Sequence, residues 1–181
     1  MNGAPLVSPL GQKKWTLTRG AGTKILLRRE LNKMHEPAMA LDGLLLSPQK
    51  EVVRAFYKDM WDHADKSLIP KIFHQDFTFR GSLGSELVGH EQFAGYVDRV
   101  TNAFGQYTTD ILAMIEEGNR VSGKMRFHGY HQQKIFGVAP SGRHVWWIGV
   151  PIFTFDGPKV RDLYVLGDIY GLIARLMGQD C

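Results

Sequence analysis

The apolar residues of this chain change their period once, near Tyr107, and that change limits the folds open to it. Before it, Val52, Val53, Phe56, Tyr57, Met60 and Trp61 recur at helical spacing, as do Phe93, Tyr96, Val97 and Val100. After it, apolar and polar residues alternate in runs bounded by turn residues, the pattern of half-buried strands. Helices first and strands afterwards indicate α+β, not alternating α/β. The spacing predicts a helix from Ser47-Pro48 to Trp61, with the Ser47 hydroxyl as cap and Pro48 at the first helical position. A second short helix is expected over Ser67–Phe73, interrupted by Pro70, and a third from about Glu91 to Phe104. Short strands are expected at Asp76–Phe79 and Glu86–Val88, around a Gly81/Gly84 turn.

The later strands are predicted at Thr108–Glu116, Arg120–His131, Val145–Phe155 and Val160–Leu166, with a closing helix at Asp168–Met177. Gly118-Asn119 makes the first pair a hairpin, and Asp156-Gly157-Pro158 joins the last pair. Gly137, Pro140 and Gly142 mark the stretch between His131 and Arg143 as a loop. The compact way to bury both apolar sets is a cone-shaped α+β barrel: a strongly curved antiparallel sheet wrapped around three helices, plus a C-terminal helix. Residues 47–178 form that domain.

Charge divides the chain. Residues 1–38 hold seven Lys/Arg against Glu30 and Glu36, a net of +5, whereas the remainder holds 15 basic and 16 acidic residues, a net of −1. A nucleic-acid-binding domain needs a basic face on the folded body, and this body is neutral, so no nucleic-acid partner is expected. Residues 1–46 read as a basic, disordered extension. An organelle presequence, or translation starting at Met34 or Met39, are the other readings of that segment. No apolar run approaches the roughly 20 residues of a membrane span. With Cys181 as the single cysteine there is no disulfide framework, and the expected location is cytoplasmic.

Several short blocks keep the order and spacing of one family. They are Phe56-Tyr57 with Trp61, Phe73-His74-Gln75-Asp76-Phe77, Gly89-His90-Glu91-Gln92-Phe93, Glu117-Gly118-Asn119-Arg120-Val121, Gly129-Tyr130-His131, Phe136–Arg143, Gly149–Phe155 and Gly167-Asp168. With these the chain resembles the SnoaL-like polyketide cyclases (ester cyclase type) of the nuclear transport factor two-like superfamily, whose cone-shaped folds enclose one pocket. The resemblance implies aldol-type ring closure without a cofactor: a carboxylate helped by histidine or amide groups removes a proton beside a carbonyl. It also implies homodimers. It puts the family's aspartate at Val165, its histidines at Pro151 and Leu163, and an asparagine at Phe79, none of which can move a proton here.

The residues themselves supply other candidates. On 121–131 the set Val121, Gly123, Met125, Phe127, Gly129 and His131 should face the interior, leaving His131 as its polar end. His131 reads either as an acid/base group or as a buried histidine satisfied by a carbonyl. His128 points to the other face, so the two cannot share a metal, and no metal site is expected. Asp76 and Arg80 read as orienting groups or as an ordinary ion pair. Asp168 reads as a catalytic carboxylate or as a helix cap. Phe56, Trp61, Phe79, Phe127, Trp147, Pro151, Leu163 and Val165 are the expected lining of the pocket. Trp146 should face outward with Ile148, Val150 and Ile152, an apolar patch that suits a homodimer. No nucleophile elbow, Walker loop, dinucleotide fingerprint or zinc-protease pattern occurs. Two functions follow: a cofactor-independent cyclase or isomerase of a hydrophobic, polyketide-like carbonyl compound, or a non-catalytic module that binds such a molecule.

Overall fold

The computed structural model describes residues 36–41 and 43–179. The expected basic extension therefore lies mostly outside the described residues. The compact unit that carries the fold begins at Pro37, ahead of the Ser47 expected from composition. Met39, Leu41 and Leu46 pack partly against the core, and the Met39 N–H donates to the Ile111 carbonyl at 2.7 Å.

Helix α1 (Pro48–Ala55) starts as the sequence predicts. The Ser47 hydroxyl accepts from the Lys50 N–H at 3.2 Å, with proline in the first turn, and also donates to the Glu116 carboxylate. The helix then widens into a π-helical turn, Phe56–Trp61, where the Asp62 and Asp65 N–H groups reach back five residues to Tyr57 and Met60. Phe56, Tyr57, Met60 and Trp61 are all buried. A 3₁₀ turn at Lys66–Leu68 leads into α2 (Ile69–Ile72). Pro70 sits in the first turn of α2, where its missing N–H costs nothing, so it opens that helix and does not interrupt it.

Strands β1 (Phe73–Arg80) and β2 (Glu86–Val88) precede α3 (Gly89–Ala103). Then follow β3 (Phe104–Glu117), β4 (Arg120–His131), β5 (His144–Asp156), β6 (Lys159–Gly167) and α4 (Ile169–Leu176). The six strands form one sheet in the order β2-β1-β6-β5-β4-β3. The expected all-antiparallel sheet is mixed, because β6 enters between β5 and β1 and runs parallel to β1. The β3–β6 meander fixes the direction of β6, and β1 had taken its own direction before the chain crossed through α3. Register shifts in β3/β4, β5/β6 and β1/β6 insert extra residues that bend the strands and let the sheet curve.

Alternation decides what faces inward. Val121, Gly123, Met125, Phe127, Gly129 and His131 are all buried along β4, as their spacing predicts. The inward rings of β1, β5 and α3 meet those of the π turn around Phe56, which touches Tyr57, Trp61, Phe73, Phe93 and Phe153 at ring-centre distances of 4.8–6.2 Å. Edge-to-face packing dominates this cluster and adds to the burial of the rings.

Candidate functional site

Between the π turn, α3 and the inner face of the sheet lies an aromatic slot. Six of the expected lining residues meet there: Phe56, Trp61, Phe79, Phe127, Trp147 and Val165. Pro151 and Leu163 are buried on the same inner face but stop short of the slot's surface. Pro151 pairs across the strands with Val165, and Leu163 with Phe79. The four positions at which the resemblance puts the family's polar groups thus form one contiguous apolar patch.

The polar atoms of the slot come from residues that sequence reasoning treated as core or did not use. Tyr57, Tyr96, Tyr107 and Ser82 line it. Tyr57 comes from the π turn and Tyr96 from α3. Tyr107 stands at the start of β3, and Ser82 in the turn after β1. Gly81 makes room for Tyr96: a Cβ there would stand 2.5 Å from the tyrosine oxygen. Burial holds all three phenols neutral. It pushes Tyr57 and Tyr107 well above the usual range, and Tyr96 up to about 12 against the opposing pull of the Leu83 backbone and the Ser82 hydroxyl. Trp147 Nε1 donates to Ser82 Oγ at 3.3 Å, while the Tyr57 hydroxyl has no partner among the described residues. The signal that could have found this set is chemical: a tyrosine in a buried stripe carries a hydroxyl that needs a partner.

A carboxylate outside the slot acts on Tyr107. Asp62 accepts from the Thr109 N–H at 2.8 Å and pairs with Lys58, whose ammonium also donates to the Thr109 carbonyl at 2.8 Å. Burial raises the Asp62 pKa, with Lys58 pulling the other way.

The other expected site residues stand apart from the slot. His131 is fully buried at the end of β4, with Nδ1 3.1 Å from Ser141 Oγ and Nε2 unpartnered among the described residues. Phe104 stands between it and Trp147, with ring centres 6.4 Å and 4.9 Å away. Asp76 is exposed and pairs with Arg161, whose hydrogen bond holds its carboxyl below the usual range. Arg80 donates to the Val165 carbonyl at 3.3 Å and lies 4.8 Å over Tyr164. Asp168 caps α4, accepting from the Gly171 N–H at 2.9 Å. Among the described residues no three His, Cys, Asp or Glu side chains are placed to hold a metal ion. No helix among them is long and apolar enough to cross a membrane.

The model of the SnoaL-like polyketide cyclases matches residues 51–176. The chain belongs to that family. Among solved structures it is similar to a protein from Jannaschia sp. CCS1 described as a SnoaL-like polyketide cyclase, at 19% identity and a TM-score of 0.66, covering 76% of this chain and 100% of that one. A protein from Acidithiobacillus ferrooxidans described as a polyketide cyclase gives 20% and 0.66, over 78% of this chain and 100% of that one. AclR from Streptomyces galilaeus, described as a hydroxylase, gives 22% and 0.62, over 74% and 83%. No curated protein matches the chain. At these identities the likeness shows a shared fold, and folds of this kind host more than one chemistry. Its α+β fold, a cone-type barrel with a C-terminal helix, is the one expected from the sequence. A SnoaL-like fold is a small-molecule-binding fold.

Proposed function

We propose that this SnoaL-like chain is a binding module. Its aromatic slot receives the flat apolar part of a small molecule and donates hydrogen bonds to a carbonyl from neutral tyrosine hydroxyls. The observation that carries this reading is the apolar patch of Phe79, Pro151, Leu163 and Val165, beside a slot whose titratable groups are all tyrosines held protonated by burial. A phenol that stays neutral is a donor and not a base, so it can polarise a carbonyl without removing a neighbouring proton. The free space inside is about 20 Å³, room for about one water, so a ligand enters only as side chains move aside. Native mass spectrometry of the purified full chain tests this: a retained apolar carbonyl compound is expected. Failure of any such compound to bind or to raise the melting temperature would count against the reading.

Asp62 favours a second reading, a cofactor-independent cyclase or isomerase. Its raised pKa suits a general base, and its charge acts on Tyr107, which lines the slot. Turnover of a hydrophobic polyketide-like carbonyl compound by the wild-type chain, lost in Asp62→Asn with binding intact, would replace the binding module with the enzyme. We further propose that two copies pair through the outer sheet face.

A further inference from the structure

We infer that the groove adjoining the slot is an acid-binding subsite, and that the ligand of this pocket is an aromatic or alicyclic carboxylate. This rests on the binding reading above and adds the chemical class of the ligand. The groove holds about 400 Å³, enough for a two-ring molecule, and shares Tyr96 and Val100 with the slot, so a ligand seated in one touches the wall of the other.

Two cations stand in it. Arg99 comes from α3 and Lys134 from the loop after β4, and neither forms an ion pair among the described residues. Arg54, Lys58, Lys66, Arg126 and Arg161 are held by carboxylate partners, whereas these two cations meet in one groove without one. The Arg99 guanidinium lies 5.7 Å from the ring centre of Tyr96, the residue that groove and slot share. A guanidinium's planar fork matches a carboxylate with two parallel hydrogen bonds.

The loop that carries Lys134 is also apolar and strained. Ile135 and Val138 close a tight turn by exchanging N–H···O bonds of 3.2 and 2.9 Å. Phe136 and Gly137 at its tip both have positive φ, 49° and 79°. Glycine accepts that conformation, but a bulky phenylalanine rarely does. Phe136 stands in the groove wall with 41% of its surface exposed. A ligand whose flat apolar part enters the slot past Tyr96 and Val100 meets Ile135 and Phe136 in the groove and can set an acid group on Arg99 and Lys134.

Calorimetric titration of the full chain with naphthoic acid and with acetylnaphthalene, its uncharged methyl-ketone counterpart, tests the inference. The acid is expected to bind about tenfold more tightly at low salt, with the difference shrinking at high salt. Arg99→Gln combined with Lys134→Gln should bring the acid to the level of the ketone and leave the ketone unchanged. Both residues are exposed, so the fold does not depend on them. Equal binding of the two probes, or an acid preference that survives the double variant, would overturn the acid subsite and leave the slot standing. Binding of neither probe would sink both readings.

Discussion

Tyr57 is fully buried, and its hydroxyl meets no partner among the described residues, so the two parts of this side chain work against each other in the folded state. The ring packs on Phe56, Phe127 and Phe153, while the hydroxyl bears a desolvation penalty of about 1–3 kcal/mol. Tyr57→Phe is therefore expected to leave stability unchanged or raise it by up to about 1 kcal/mol in urea unfolding, and to weaken binding of acetylnaphthalene. A stability loss as large as that of a truncated aromatic, about 3 kcal/mol or more, would show that the hydroxyl is satisfied. His128 gives a pH dependence. Burial lowers its pKa, opposed by Asp110 and assisted by His144, whose Nε2 is 3.3 Å from His128 Nδ1. The folded state thus binds this proton less readily than the unfolded chain does. The His128 contribution is complete above about pH 6.5 and is lost as pH falls below it. Urea midpoints should drop on acidification through that window, and His128→Gln should flatten the drop. At this scale the sequence disclosed ring positions better than hydroxyls: Tyr57 and Tyr96 were legible as members of buried stripes. That their oxygens converge depends on how the π turn and α3 cross, which no spacing records. Asp76 and Arg80 were placed by type. The alternation of Phe77 and Phe79 already sends both to the opposite face of β1.

Ser47 joins two elements, because one hydroxyl both caps α1 and donates to Glu116 near the end of β3. Ser47→Ala is expected to cost about 1 kcal/mol or somewhat more, since a cap is lost and a carboxylate loses its donor. Ser47→Thr keeps both bonds and should stay near wild type. A change below a few tenths of a kcal/mol in Ser47→Ala, read from urea unfolding, would deny this hydroxyl its structural role. The helix start was legible because cap chemistry is local. The π turn was not: the pairs Phe56-Tyr57 and Met60-Trp61 fit an α-helical stripe equally well, and only the sheet they pack against selects the wider turn that buries all four. The parallel pairing of β6 with β1 was hidden for a related reason. Alternation tells which face of a strand is buried, not which neighbour it finds, and Phe73 meets Val160 from 87 positions away.

The two central strands of the sheet, β6 and β5, carry the most exposed apolar part of its outer face. Val150 lies across from Leu166, and Ile152 across from Tyr164, each with 40–58% of its surface open. Trp146, the residue expected to anchor this patch, is instead half covered, with the Arg175 guanidinium of α4 3.6 Å over its ring. A polar row would be the ordinary solution for the wet face of an antiparallel sheet, so four adjacent apolar side chains at its centre call for a cover. A second copy would supply an identical patch, which two-fold pairing would set against this one. Sedimentation equilibrium of the full chain should give a dimer at micromolar concentration. Ile152→Lys combined with Leu166→Lys should give a monomer, because each interface would then bury two like charges from either side. Those side chains point away from the slot, so the monomer should keep the far-UV circular dichroism and the naphthoic acid affinity of the parent. A parent chain that stays monomeric well above micromolar concentration would rule the pairing out. A lysine variant that loses ligand binding together with the dimer would instead show that the slot takes its shape from the partner across the sheet.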